Sequence, residues 1–259
     1  EGTLGLVTAL TLRLHGIPEA TSAGICAFPD MQSAVTAVME TIQMGIPMAR
    51  IEFVDAATAR AFSDYSGMQM ANAPHLLVEF HGSPDSVAQD AERFAEIVSD
   101  HGASTFRWSA REDERRALWA LRHNGYYAIL ASRKGARALV TDICVPISRL
   151  ADAVEQTQAD IAASLIPGPI LGHVGDGNFH AILLVDPDQP AELAEARRLS
   201  HRMAERALAL GGTCTGEHGV GMGKTPYMRA EHGDGWDVMG QIKQALDPRN
   251  LMNPGKLVP

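Results

Sequence analysis

At 259 residues, 46% of them hydrophobic and 20% charged, the chain is long enough for one large domain or two small ones with a sizeable core. A formal net charge of −9, with no block of lysine or arginine, argues against a nucleic-acid partner. The longest apolar runs, such as AILLV at 181–185, are too short to span a bilayer, and three scattered cysteines (Cys26, Cys144, Cys214) with no CxxC pair argue against a disulfide framework.

The chain opens EGTLGLVTALTLRL, without an initiator methionine or a signal-peptide pattern, and so reads as a fragment, or a processed or trimmed chain. Partial alternation and β-branched residues predict a first strand over 4–14. Asp30 as a cap, helical apolar spacing and Gly45 as a stop predict a helix between them. RIEFVD (50–55) reads as a strand, ATARAFSDYSG as a helix ending at Gly67, and HLLVEFHG (75–82) as a strand. SPDSVAQDAERFAEIVSDHG reads as an amphipathic helix with Gly102 as its stop. This order around 50–108 suggests half of a split β-α-β sandwich. A single helix is predicted over 111–132, a strand over 137–146 ended by Pro146, and a helix from Ile147. Strands follow on both sides of a glycine-rich turn near 175, then a long helix from Pro190. TCTGEHGVGMGKTP is a loop by composition, and the tail carries a helix that ends before Asp247-Pro248. No internal repeat is evident. The pattern predicts an α+β fold, an antiparallel sheet covered on one face by helices. Cys144, in an apolar run, reads as a buried inert thiol.

Two motifs carry chemistry. In GHVGDGNFH (172–180), Asp176-Gly177 is a two-residue type I′ turn signal. That register pairs His173 with His180 on one face of the sheet, with Cβ atoms about 4.5–5.5 Å apart. Two such imidazoles are either an ordinary hydrogen-bonded pair or half of a metal site. The second motif, TGEHGVGMGKT (215–225), puts Glu217 and His218 in a flexible loop. Glu217 with His173 and His180 makes a set of two imidazoles and one carboxylate, suited to Zn2+, Mn2+ or Fe2+, and His218 is left for proton transfer. The loop is not a P-loop, because His218 stands where that motif's first glycine belongs. Lys224 could meet an anionic substrate or be solvated. Arg122 in LWALRHN could grip a carboxylate, although spacing alone reads it as a solvated helix face.

GHVGDGNFH, TGEHGVGMGK, LWALRHN, TDICVPISRL and LMNPGK together resemble the C-terminal half of FAD-linked oxidases of the D-lactate dehydrogenase and glycolate oxidase type, within the vanillyl-alcohol-oxidase superfamily. The resemblance implies a ferredoxin-like cap domain that oxidises a D-2-hydroxy acid, D-lactate foremost, with FAD and a divalent metal, Zn or Mn. It implies metal ligands His173, His180 and Glu217, general base His218, and substrate contacts Arg122 and Asn178. It further implies flavin-side positions Gly2, Thr3, Gly5, Val7 and Asn253. On this reading residues 1–20 are the last strand of a flavin-binding domain, 21–232 the cap domain, and 233–259 a tail returning to the flavin domain. The glycine-rich pyrophosphate loops of that domain are absent, so the chain alone is expected to bind FAD weakly and to be inactive. Implied partners are the missing flavin domain or chain, a small 2-hydroxy acid, and a cytochrome, quinone or electron-transfer flavoprotein as acceptor. The expected location is cytoplasmic, with an option of peripheral attachment at the inner membrane. D-2-hydroxyglutarate or glycolate as substrate, a non-catalytic substrate-binding subunit, and a stand-alone metallohydrolase using the same two histidines and glutamate are the competing readings.

Overall fold

The computed structural model of the chain describes residues 1–258. The elements run β1 (Ala20–Ala27), α1 (Met31–Gln43), β2 (Arg50–Val54), α2 (Ala56–Ser66), β3 (His75–Gly82), α3 (Pro84–Asp100) and β4 (Arg107–Ser109). They continue α4 (Glu112–His123), α5 (Gly125–Ala131), β5 (Arg137–Val140), β6 (Ile143–Cys144), α6 (Leu150–Ala162), β7 (Ile170–His173) and β8 (Asn178–Val185). The chain then forms α7 (Pro190–Ala209), α8 (Met228–His232) and α9 (Gly235–Leu246). Helix starts carry side-chain caps, at Asp30 as expected and also at Asp55 and Ser83. Asp30 accepts the Ser33 N–H at 2.7 Å, Asp55 the Thr58 N–H at 2.8 Å, and Ser83 with Ser86 forms a reciprocal capping box.

All strand pairs are antiparallel, in the order β4-β1-β3-β2-β7-β8-β5, with β6 also on β8. The first four strands, ordered 4-1-3-2 and crossed by α1 and α3, form a ferredoxin-like unit. The second half repeats the scheme as β6-β8-β7 with α6 and α7. An isolated bridge from Thr213 to Cys144 stands where a fourth strand would lie. β2 joins β7 edge to edge, which fuses the two units into one sheet. The repetition is one of topology, and for that reason it leaves no trace in the residue pattern.

Period-two alternation sorts each strand between two faces. Phe53, Leu76, Val78, Phe80, Phe179 and Leu183 point to a core built with α1, α3, α6 and α7. Val54, Leu77, Leu171, Ile182 and Leu184 point the other way, into a second core with α2, α4 and α5. The antiparallel α+β architecture is as expected, and the helical cover extends to the second face as well. The candidate site lies on that second face.

Four expectations change. Residues 4–14 are not a strand: they pair with no described strand, and Leu6, Val7, Leu10, Leu12 and Leu14 stay exposed. The first strand is instead β1, whose sequence ATSAGICA is too small and too glycine-bearing to announce one. The helix over 111–132 breaks at Asn124 into α4 and α5. The strand over 137–146 divides into β5 and β6 at Thr141-Asp142, which turns Asp142 into the site. Cys144 is half-buried rather than buried. Its Sγ donates to Asp176 O at 3.1 Å, and burial pushes its pKa up.

Candidate metal centre

The site begins at the hairpin between β7 and β8. Only Gly177 adopts a left-handed backbone there (φ 77°), and residues 174–176 form a single 3-10 turn. The loop therefore spans four residues, and the two-residue type I′ turn does not occur. The register differs from expectation by two: His173 pairs with Asn178, and Leu171 with His180. A shift of two keeps side chains on the same face, whereas a shift of one would have separated them. His173 and His180 thus meet diagonally, ring centroids 5.8 Å apart and nearly perpendicular.

Each imidazole has its Nδ1 taken. His173 Nδ1 donates to Glu52 Oε1 at 2.6 Å, and His180 Nδ1 donates to the Thr141 carbonyl at 3.0 Å. This assigns the proton to Nδ1 in each ring and leaves both Nε2 lone pairs free. Both Nε2 atoms converge on Glu217 Oε1, at 3.3 Å from His173 and 3.2 Å from His180. A cation between these three atoms, a proton on an imidazole or a metal ion, would satisfy them together. Protons supply it poorly at His180, because burial lowers that group's pKa; at His173 the Glu52 hydrogen bond raises it. The three donor atoms lie within 4.8 Å of one another, so the set fits a divalent ion. His218 stacks on His180 at 4.9 Å between centroids and 7° between planes.

Arg122 is not a solvated helix face. Its Nε donates to Glu52 Oε2 at 3.0 Å, and its Nη2 lies 3.0 Å from the same oxygen. Beneath the loop, the buried Asp142 carboxylate accepts from Asn178 Nδ2 (2.8 Å), Thr215 Oγ1 (3.1 Å), Glu217 N (3.1 Å) and His218 N (3.0 Å). Lys224 Nζ completes this shell at 3.2 Å and donates to the Asp142 carbonyl at 2.6 Å, so Lys224 is tied to Asp142 rather than simply solvated. Burial alone would push the Asp142 carboxyl up, but these donors and the Lys224 charge hold it well below the usual carboxylate range. With every acceptor position used, Asp142 has none left for a metal, although it lies near His180 and His218. Gly216 is required here, because a Cβ would collide with the Asn178 amide. Asn178 Oδ1 is buried and has no partner among the described residues.

The five expected flavin-side positions divide. Asn253 Nδ2 donates to Glu1 O at 2.8 Å and Gly2 O at 3.2 Å, and Lys243 Nζ donates to Thr3 O at 2.8 Å. Glu1 in turn accepts from Val220 N and Gly221 N, at 2.5 and 2.9 Å, so both ends of the chain abut the Glu217 loop. Gly5 and Val7 are exposed and join no cluster. Sequence reasoning missed Glu52 and Asp142 altogether. The only available signal was an acidic residue within an otherwise apolar strand, in RIEFV and in LVTDICV.

Residues 17–257 match the family model "FAD linked oxidases, C-terminal domain". The chain is 46% identical to a zebrafish (Danio rerio) protein named "Probable D-lactate dehydrogenase, mitochondrial", over the whole chain and 52% of the relative. It is 33% identical to "Glycolate oxidase subunit GlcD" of Bacillus subtilis, over 99% of the chain and 55% of the relative. The chain thus spans about half the length of the curated relatives it matches. The structure of 4-ethylphenol oxidase from Gulosibacter chungangensis superposes with a TM-score of 0.70 at 16% identity, covering 95% of this chain and 55% of that one, which shows a shared fold. The mitochondrial name of the zebrafish relative does not match the cytoplasmic expectation. Among the described residues, no helix is long and apolar enough to cross a membrane.

Proposed function

Given that the chain belongs to the FAD-linked oxidase C-terminal domain family, we propose that it is the substrate- and metal-binding half of a flavin-dependent dehydrogenase that oxidises a D-2-hydroxy acid, D-lactate foremost, to the 2-oxo acid. The observation that carries the reading is the convergence of the His173 and His180 Nε2 atoms on Glu217, with an arginine tied to the same network through Glu52. His173, His180 and Glu217 would hold the ion, Zn2+ or Mn2+ by donor type. When bound, the ion supplies Lewis acidity at the substrate oxygens and FAD supplies the two-electron acceptor. Arg122 offers guanidinium N–H groups to the substrate carboxylate. The half-exposed His218 takes the hydroxyl proton, its ring oriented by the stack on His180. The unpartnered Asn178 Oδ1 accepts a donor from the ligand or a water.

Residues 1–20 and 233–259 belong, on this reading, to the flavin-binding side, and 21–232 to the cap. The exposed Leu6, Val7, Leu10, Leu12 and Leu14 at one end, with Val238, Ile242 and Leu246 on α9, support packing against a flavin-binding half. Gly2, Thr3 and Asn253 would face the flavin, with Gly5 and Val7 ordered beside it on assembly. The electron acceptor is a cytochrome, quinone or electron-transfer flavoprotein, and the compartment is the one that houses it. Co-expression with a flavin-binding half, followed by anaerobic titration of the flavin absorbance, tests the reading. D-lactate is expected to bleach the flavin faster than glycolate or D-2-hydroxyglutarate, and the isolated chain with added FAD is expected to be inactive. Failure of all three acids in a flavin-loaded, metal-loaded complex would overturn it.

A further inference from the structure

The β2 sequence RIEFV sends Ile51 and Phe53 into the first core, which places Glu52 on the opposite, covered face. A carboxylate in mid-strand, its side chain 12% exposed, carries a desolvation cost that only close partners offset. Glu52 has two, one per oxygen. His173 Nδ1 lies against Oε1 at 2.6 Å, and Arg122 Nε and Nη2 against Oε2 at 3.0 Å. These partners come from different parts of the fold: His173 ends β7 of the second ferredoxin-like unit, and Arg122 lies in the last turn of α4. The pairing of β2 with β7 brings Glu52 to His173, and the packing of α4 on the same face brings it to Arg122.

We propose that Glu52 is a positioning residue that fixes His173 and Arg122 as one unit, an inference that rests on the metal-site reading above. Accepting the Nδ1 proton commits His173 to presenting Nε2 towards Glu217 and raises its basicity as a ligand. Accepting from Nε and Nη2 fixes the plane of the guanidinium and leaves Nη1 as a donor for a carboxylate. Glutamine cannot replace it. Both neighbours are donors, and an amide has one acceptor oxygen, so its NH2 must confront one of them.

The test is titration of the metal-free chain with Mn2+ and Zn2+ by calorimetry. The parent chain is expected to bind one ion, His173→Ala to bind none, and Glu52→Gln to bind about 10–100-fold more weakly. Absence of binding by the parent chain breaks the metal-site reading itself. Binding by the parent with Glu52→Gln within threefold of it breaks only the role of Glu52. Should Glu52→Gln fail to fold, histidine 15N NMR of the Zn2+-loaded parent chain decides. Zinc on His173 Nε2 with a protonated Nδ1 supports the assignment, and zinc on Nδ1 overturns it. The Arg122 Nε–H resonance gives the second half: protected from solvent exchange in the parent and unprotected in Glu52→Gln, or, if equal in both, evidence that Glu52 does not hold the guanidinium.

Discussion

The two histidines of β7–β8 and the Glu217-His218 pair meet within one site, yet they are held in different ways. His180 sits in a buried strand, paired by backbone ladders on both sides and packed from both faces. Glu217 and His218 stand on a glycine-rich loop, side chains about half exposed, and their backbone N–H groups are gathered by one carboxylate, that of Asp142. A sheet positions a ligand through many redundant bonds. The Glu217-His218 end of the loop depends on a single buried anion, so its failure should be local and large.

The largest expected effect is therefore at Asp142. Asp142→Ala leaves the Lys224 ammonium without its carboxylate partner and the Glu217 and His218 N–H groups without an acceptor, while Asn178 Nδ2 and Thr215 Oγ1 keep only the Ile143 and Gly219 carbonyls; removing one partner of a buried pair costs about 3–5 kcal/mol. Chemical denaturation should show this loss together with loss of Mn2+ binding. If metal affinity survives in a folded Asp142→Ala chain, the loop is held by something else. Next, Gly177→Val tests the sheet-borne half: its φ of 77° and a Cβ that would strike the Val145 carbonyl make the loop untenable for valine. A left-handed β-branched residue alone costs on the order of 1–3 kcal/mol, and the hairpin histidines should lose metal with it. Full metal occupancy in a folded Gly177→Val chain would separate hairpin geometry from metal binding.

Glu217→Gln sharpens the contrast from the loop side. The side chain is half exposed, so the melting temperature in the absence of metal should stay within a degree or two while metal affinity falls at least tenfold. His180→Ala should lower both, because His180 is buried. Equal melting losses for the two variants would erase the distinction. The smallest effect is in pH. The Asp142 pKa is depressed in the fold, so its stabilisation is fully present above the unfolded carboxylate value, near 3.8, and is lost as pH falls through the folded value. Asp142→Asn should therefore flatten the acid limb of a stability-against-pH curve below about pH 4. An unchanged acid limb would mean that this carboxylate does not carry the charge that holds the loop.

Much of the architecture was legible because it is local. The cap at Asp30 and the stops at Gly45 and Gly67 lie within a few residues of the ends they set. β1 was not legible, since a strand of alanine, serine and glycine is stabilised by its neighbours β3 and β4 rather than by its own pattern. The strand expected over 4–14 failed for the converse reason: the pattern is there, and no described strand pairs with it. The hairpin register differs by two because Asp176-Gly177 looks like a two-residue turn, whereas the chain puts only Gly177 in the left-handed region.

What the sequence by itself determined is the parity of the site and its chemical types: two imidazoles on one sheet face, a carboxylate and a third imidazole on a pliable loop. Parity survives a slip of two, because side chains alternate with period two. What only the tertiary structure decided is the set of partners. Glu52 lies 121 residues from His173, and Asp142 lies 75 residues from Glu217. Sheet pairing and burial bring them together, and no local pattern records a contact made across that distance of chain.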